Sequence, residues 1–309
     1  MYKIGLIGLG AVGRFYARNL LKAYKQILIF DKEKDRMKEF YELGASPCES
    51  PKAIAEGSDI VILSLPSPEA VEAVLIGSQG LLSSVKKDYI IADLSTIDPD
   101  TSTKMAKSAA RKGVYYLDAP ISGGQPAGGG TEGAKKGTVT FMVGGDRKAF
   151  DKCKPVLSKL GKKFFYLGAS GMGSTVKLLS NLVNGIENLI VAEAFTLGAK
   201  AGVDPKVLMK VFDETDADSY FLQQYLKPRF MKKDFEPGFT VDLQYKDHRL
   251  ASELAKKLGV PLLFNELTVQ IYQMLRAQGL GQKDYTAAVP FWAQLAKIDL
   301  YDIKRKNKS

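Results

Sequence analysis

The sequence predicts an α/β fold: a doubly wound parallel sheet, then a long interdomain helix and an all-α C-terminal domain. Three observations carry that expectation. Short strand-like apolar runs alternate with helical segments through the first half of the chain, the pattern of a parallel sheet. A glycine-rich turn joins the first strand to the first helix. From Gly168 to Gly202 a glycine-dotted turn opens into one long helical pattern, and only helical segments follow it. A chain of 309 residues is long enough for two domains, expected at 1–167 and 168–309, with the connecting helix over 171–202.

Residues 3–7 read as a buried strand that runs into Gly8-Leu9-Gly10-Ala11-Val12-Gly13 and then a helix over 14–23. G-x-G-x-x-G is weak alone and much stronger between a strand and a helix, where it marks a dinucleotide site. Gly8 permits the tight turn, Gly10 lets the backbone approach a pyrophosphate, and Gly13 lets the helix pack close on the strand. The N–H groups of this turn and the positive end of the helix then hold the phosphates. The second strand, 27–30, ends in Asp31, near the spacing at which an acid binds an adenosine ribose. A carboxylate there repels the extra phosphate of NADP, so Asp31 argues for NAD; Lys32, Lys34 and Arg36 close by keep NADP open. A strand-end Asp that caps the next helix is the plainer alternative.

Strands over 59–64, 89–93 and 114–118 each lead into a polar loop. The first loop begins Leu65-Pro66, the second contains Ser95-Thr96, and the third runs through Ser122-Gly123-Gly124. Open α/β sheets bind ligands beyond the carboxyl ends of their strands, which is where these loops fall. A final strand over 138–143 ends in Gly144-Gly145, and 163–167 adds one more. In the second half, helices are expected over 205–212, 222–230, 241–258, 261–278 and 285–295.

Composition narrows the class. The chain is 45% hydrophobic and 25% charged, ordinary for a globular protein with a sizeable core. No apolar run reaches the length that spans a bilayer, so no membrane partner is expected. A strand beginning near Tyr2 leaves no signal peptide to expect, and the two distant cysteines, Cys48 and Cys153, form no framework or metal spacing. A reducing cytoplasm and the absence of a metal are the expectations. The net charge of +10 raises nucleic acid as a partner, but the lysines are scattered as pairs and the one dense cluster is the tail from Lys304. A positive field that draws in anionic cofactors and substrates is the milder reading.

On the long helix, Leu178, Leu179, Leu182, Ile186, Leu189, Ile190 and Ala194 recur at three- and four-residue spacing, the period of an amphipathic or buried helix. Lys177 and Asn181 stand four apart and share a face. By spacing alone they are an ordinary solvated pair. Their neighbours change that. GLGAVG, LPSP, DLSTIDP, DAPISGG, GMGSTVKLLSN and YKDHRLA occur in the order found in the β-hydroxyacid dehydrogenases, and over nearly the whole chain the sequence resembles that family. Its members include 3-hydroxyisobutyrate dehydrogenases, tartronate semialdehyde reductases and glyoxylate/succinic semialdehyde reductases.

The resemblance implies an NAD-binding Rossmann domain, a connecting helix and an all-α domain, assembled as a homodimer or homotetramer. It implies Lys177 as catalytic lysine with Asn181 beside it, both also touching substrate. Ser122, Gly123 and Gly124 match the loop that holds the substrate carboxylate. Leu65, Pro66 and Thr96 match cofactor contacts, and Lys246 matches the lysine that closes on the site from the second domain. The residue types suit this chemistry: a Ser-Gly-Gly turn can wrap a carboxylate with backbone N–H groups, and a lysine can exchange one proton with a carbonyl oxygen. A free lysine has a pKa of about 10.4, so oxidation is expected to improve as pH rises. His248, the single histidine, is expected on a helix surface.

Two features depart from the family pattern. Residues 125–131 form a Gly-rich insertion after the Ser-Gly-Gly turn, read as an inert excursion or a lid. Asn184-Gly185-Ile186-Glu187 evokes the 6-phosphogluconate dehydrogenases, but it lies three residues late relative to Lys177, with Ser180 in the histidine's place. Imine reductases generally replace the lysine that is present here. The expected reaction is hydride transfer between NAD(H) and a small anionic β-hydroxy acid or its semialdehyde, with an NADPH-dependent glyoxylate/succinic semialdehyde reductase as alternative. A dinucleotide-binding sensor or scaffold without turnover is the reading from another class.

Overall fold

The structure, a computed structural model, describes residues 2–123 and 130–301. Two compact units divide at Leu178 and Leu179, inside the long helix, where the sequence reading begins the second domain at residue 168.

In the first unit the chain runs β1 (Ile4–Ile7), α1 (Gly13–Ala23), β2 (Ile27–Phe30), α2 (Asp35–Lys38), β3 (Ala45–Pro47), α3 (Pro51–Gly57) and β4 (Ile60–Leu63). It continues with α4 (Pro68–Ile76), β5 (Ile90–Asp93), α5 (Pro99–Ala110) and β6 (Tyr115–Asp118). These six strands form one parallel sheet in the order β3-β2-β1-β4-β5-β6, so the winding reverses between β1 and β4. Alternate residues feed opposite faces. Ile4, Leu6, Ile60, Ile62 and Ile90 pack with Tyr16 and Leu20 on one side. Ile7, Val61, Leu63 and Ile91 pack with Ile54, Val71 and Met105 on the other. Helices α3, α4 and α5 start where a Ser or Asp side chain (Ser50, Ser67, Asp98) caps and a proline follows, which is pre-set for the first helical position.

One expectation is corrected here. The strands predicted over 138–143 and 163–167 do not extend the parallel sheet. They are β8 (Val139–Val143) and β9 (Gly161–Tyr166), in a second sheet of order β7-β8-β9 with β7 (Ile121–Ser122), a strand that replaces part of the expected third loop. The short β7 continues past Pro120, and β8 returns antiparallel to it; just after β8, Gly144 forms an isolated antiparallel bridge with Asp118 of β6. Helices α6 (Gly130–Lys136) and α7 (Arg147–Leu157) flank β8, and Phe141 stacks on Phe164 with ring centres 5.0 Å apart.

Helix α8 (Met172–Lys200) carries the chain into the second unit, and Gly202, at φ +92°, turns the chain after it. There follow α9 (Pro205–Phe212), a π-helical turn over Leu222–Leu226, and α10 (Lys227–Lys232). The wide turn precedes Pro228, which has no N–H to continue an α-helical ladder. Then come α11 (Val241–Leu258), α12 (Leu263–Ala277) and α13 (Ala288–Leu295). Phe195, Phe230, Tyr272, Leu275 and Val289 are among the core residues of this unit. Among the described residues, no helix is long and apolar enough to cross a membrane, and no cluster of His, Cys, Asp and Glu is placed to hold a metal.

Candidate active site

The parallel register aligns the last residues of five strands: Phe30, Ile7, Leu63, Asp93 and Asp118 stand level across the sheet. Backbone bonds then tie each outgoing loop to its neighbour. Gly8 N–H donates to Phe30 O (2.9 Å), Ser64 to Ile7 (2.9 Å), Leu94 to Leu63 (2.9 Å) and Ala119 to Asp93 (2.7 Å). The turn from Gly8 to Gly13, Asp31, Leu65-Pro66 and Ser95-Thr96 therefore leave one edge side by side, at the reversal point where such sheets hold ligands.

The glycines of the first turn divide the work. A Cβ on Gly8, whose φ is +95°, would lie 2.2 Å from Ser64 O, and one on Gly13 would lie 1.9 Å from Gly8 O. Both are needed for close packing of turn, helix and sheet. Gly10 differs: the nearest atom to its missing Cβ is Arg36 Nη1, 3.8 Å away, so its hydrogen leaves open space for a phosphate to approach the backbone. Leu9 N–H donates to Asp31 Oδ2 (2.7 Å) and Glu33 N–H to Oδ1 (2.9 Å), which fixes the buried carboxylate at the tip of β2. The Arg36 guanidinium lies 3.8 Å from Asp31 Oδ2 while pairing with Glu33 at 2.7 Å. Ala11 is exposed and Val12 half-buried at the start of α1. An open glycine cradle, a helix start and a fixed strand-end acid fit a dinucleotide.

Beside this turn, Leu65 N–H donates to Ser95 Oγ (2.9 Å), joining the Leu65-Pro66 loop to the loop that bears the half-buried Thr96. Ser95 is held in turn by Asp93, whose Oδ1 accepts its N–H (2.9 Å) while Oδ2 accepts the Tyr116 hydroxyl (2.7 Å). Burial raises the Asp93 pKa against these bonds. Neither Asp93 nor Ser95 was assigned a role from sequence; the available signal was an acid ending an otherwise apolar strand.

Lys177 is 8% exposed, so the solvated alternative is set aside. It lies in the second turn of α8, and the first turn is seated on the end of β6. Asp118 Oδ1 accepts Gly171 N–H (2.8 Å) and Oδ2 accepts Ser174 N–H (2.9 Å). Ser174 Oγ also bonds Ser102 Oγ of α5 at 2.8 Å. Burial pushes the Asp118 pKa up to about 6, opposed by the N–H groups of Gly171 and Ser174.

Ser122 lies in β7 opposite Thr140, and Gly123 is buried under α6, where a Cβ on Gly133 would lie 2.1 Å from Gly123 O. Gly124 and most of the insertion over 125–131 fall outside the described residues.

In the second unit, Asn181 (5% exposed) donates Nδ2–H to Asp247 Oδ2 at 2.5 Å. Asp247 Oδ1 meets the Lys246 ammonium 3.0 Å away as an ion pair, so one buried carboxylate joins two of the residues singled out from sequence. Gln244 of α11 donates Nε2–H to Asn181 O (2.9 Å) and contacts His248 Nε2 at 3.2 Å. The surface position expected for His248 is corrected: its side chain is fully buried, with Nδ1 2.6 Å from Asn265 Oδ1 and its ring stacked on Tyr272. A 3.6-residue period on α11 turns His248 inward with Gln244, and its polarity hid that.

Residues 3–168 match a family profile described as the NAD binding domain of 6-phosphogluconate dehydrogenase. Residues 171–292 match one described as NAD-binding of NADP-dependent 3-hydroxyisobutyrate dehydrogenase. The chain is 39% identical over 298 residues to 2-(hydroxymethyl)glutarate dehydrogenase of Eubacterium barkeri, covering 96% of this chain and 97% of that one. It is 36% identical over 295 residues to mitochondrial 3-hydroxyisobutyrate dehydrogenase of Homo sapiens, covering 93% and 86%. A solved structure of 3-hydroxyisobutyrate dehydrogenase from Mycobacterium tuberculosis with L-serine matches with a TM-score of 0.84 at 28% identity, over 94% of this chain and 99% of that chain.

Proposed function

From the premise that this chain belongs to the 3-hydroxyisobutyrate dehydrogenase-like family of β-hydroxyacid dehydrogenases, we propose that it oxidises a 2-substituted 3-hydroxypropanoate to its semialdehyde with Lys177 as the proton-transferring group. It is an NAD(P)-dependent dehydrogenase acting on a CH–OH group, which sets aside the non-catalytic reading. The substrate class rests on chemistry shared by the relatives' names. Hydroxymethylglutarate, hydroxyisobutyrate and serine all carry HO–CH2– on the carbon that bears a carboxylate. They differ only in the third substituent.

The observation that carries the reading is the burial of Lys177 in the second turn of a helix seated on the sheet's carboxyl edge. When bound, the nicotinamide coenzyme supplies the hydride chemistry. The residues of this chain manage the rest. Neutral Lys177 takes the hydroxyl proton as the alcohol becomes an aldehyde, and as an ammonium it returns that proton to the carbonyl oxygen in reduction. Asn181, one turn further along α8, holds the substrate or the lysine in register. Ser122, Gly123 and Gly124 wrap the carboxylate with backbone N–H groups. Gly8 to Gly13 hold the pyrophosphate, Asp31 the adenosine ribose, and Leu65, Pro66, Thr96 and Lys246 complete the coenzyme contacts. Asp31 favours NAD over NADP.

The test is turnover with NAD and 3-hydroxyisobutyrate, L-serine and 2-(hydroxymethyl)glutarate, in wild type and Lys177→Ala. The variant is expected to lose at least about 10²-fold in kcat with coenzyme binding nearly intact. Wild-type turnover in Lys177→Ala would remove the lysine from the mechanism. Activity on glyoxylate or succinic semialdehyde but on none of the three hydroxy acids would overturn the substrate class.

A further inference from the structure

We propose that Asp118 is a positioning residue for the reaction: its carboxylate anchors the first turn of α8 and thereby sets where the Lys177 amine stands. The proposal rests on the reading of Lys177 as the proton-transferring group.

A helix start presents N–H groups that have no partner within the helix, and a Ser, Thr, Asp or Asn at the N-cap ordinarily takes one of them. At the start of α8 that place falls to Gly171, which has no side chain and holds φ +94°. The missing acceptor comes from far away in sequence. Asp118 sits 53 residues before Gly171 and 56 before Ser174, yet receives both their N–H groups, one on each oxygen, at 2.8 and 2.9 Å. A carboxylate at a helix N-terminus also meets the positive end of the helix dipole.

The seat around it is tight. A Cβ on Gly173 would lie 2.3 Å from Met142 O and 2.5 Å from Asp118 O, and one on Gly144 would lie 2.7 Å from Asp118 Oδ1. Ser102 holds Ser174 from α5, and Thr103 Oγ1 reaches Ser170 O at 3.5 Å. The first turn is thus fixed against β6, β8 and α5 at once. Lys177 follows Ser174 by three residues, inside the same rigid stretch of helix. Asp118 belongs to β6, one strand over from the Ser95-Thr96 loop, so the anchor ties the amine to the same sheet edge as the dinucleotide turn. A misplacement of about 1 Å at a reacting group can cost about 10²-fold, which makes this carboxylate consequential without touching substrate.

The experiment compares wild type, Asp118→Asn, Lys177→Ala and the double variant by kcat, KM for coenzyme, Kd for NADH from fluorescence quenching, and Tm. An asparagine keeps the shape, but its NH2 faces one of the two N–H donors. Asp118→Asn is expected to lower kcat by about 10- to 100-fold, with coenzyme KM and Kd within a factor of two or so of wild type. The double variant is expected to be no slower than Lys177→Ala alone, because the aspartate acts only through the lysine.

Wild-type kcat in folded Asp118→Asn, alongside an inactive Lys177→Ala, would overturn the proposal and leave the proton role of Lys177 standing. An active Lys177→Ala would instead sink that role, and the proposal with it. A double variant much slower than Lys177→Ala would also overturn the proposal, since Asp118 would then act by another route. Should Asp118→Asn fail to fold, Gly173→Ala displaces the same turn while keeping the carboxylate. The same fall in kcat with unchanged Kd is expected there, and wild-type kcat in that variant overturns the proposal.

Discussion

Asn181 and Asp247 are held together across 66 residues by a 2.5 Å hydrogen bond in which the amide donates to a carboxylate that is only 1% exposed. The other oxygen of Asp247 faces the Lys246 ammonium at 3.0 Å. A buried charge persists when it is paired and hydrogen-bonded, and here both partners are residues that the proposed function places at the site. Asp247→Asn keeps the volume and removes the charge. It is expected to cost about 1–3 kcal/mol of stability. If Asn181 orients substrate or lysine, kcat should also fall by about 10-fold or more. Thermal unfolding and steady-state kinetics check both, and unchanged kcat would separate Asn181's orientation from catalysis.

Asp31 offers a second measurement. Its carboxylate is pinned by the N–H groups of Leu9 and Glu33, and its remaining lone pairs are free to accept from ribose hydroxyls. Asp31→Ser should raise the Kd for NAD(H), read as NADH, by about 10- to 100-fold, since each hydrogen bond to a charged acceptor is worth about 1.5–3 kcal/mol. The Kd for NADP should hold or tighten, because the carboxylate that repels the 2′-phosphate is gone and Arg36 stays close by. Fluorescence titration with both reduced coenzymes decides it. An unchanged NAD Kd would take Asp31 off the ribose.

The parallel order and the long helix were legible because each rests on local signals. Apolar runs ending in Asp31, Asp93 and Asp118 mark buried strands, and Gly8 and Gly202 sit where positive φ is required. Helices α9 and α11 begin at Pro205 and Val241, just after the capping residues Asp204 and Thr240. What escaped was short or non-local. The strand β7 has two residues and β3 three, too few for a period to show. Spacing put Lys177 and Asn181 on one face but could not show that face buried. The bonds from Asp118 to Gly171 and from Asp247 to Asn181 span more than fifty residues each, and no local pattern encodes them.

His248 ties stability to pH. Burial lowers its pKa, with the Asn265 hydrogen bond and the Asp247 charge opposing. Gln244 Nε2 must donate to Asn181 O, so it also presents a hydrogen to His248 Nε2, and Nδ1–H donates to Asn265. A second proton on the ring would set N–H against N–H. The unfolded chain binds that proton near pH 6.5 and the native state refuses it, so stability falls as pH drops below about 6.5, by at most about 1.4 kcal/mol per unit. Asp118 works in the opposite sense. Its pKa is raised to about 6, so its contribution is lost as pH rises from about 4 toward 6. The difference between wild type and His248→Gln isolates the histidine. Urea midpoints are expected to converge from pH 7 to pH 5, and a constant gap would show that His248 takes up its proton as readily in the native state as in the unfolded chain.

Along α8, Leu179, Val183, Ile190 and Leu197 are between 52% and 73% exposed, and their spacing of four and seven residues draws one stripe down the helix. Alongside it Leu182, Ile186, Ala194 and Phe212 line a groove of about 450 Å³. A continuous apolar stripe of this kind is unfavourable in water and is the usual mark of a surface that another subunit covers. We expect the chain to be a homodimer or homotetramer with α8 at the contact. Light scattering at micromolar concentration should give a multiple of the 33.8 kDa chain mass. Replacing Ile190 and Leu197 together by Glu should give a folded monomer, because two carboxylates brought to a closing apolar face would each have to be desolvated without a partner. A wild-type monomer would overturn the predicted assembly, and a double variant with the wild-type oligomeric mass would place the contact elsewhere.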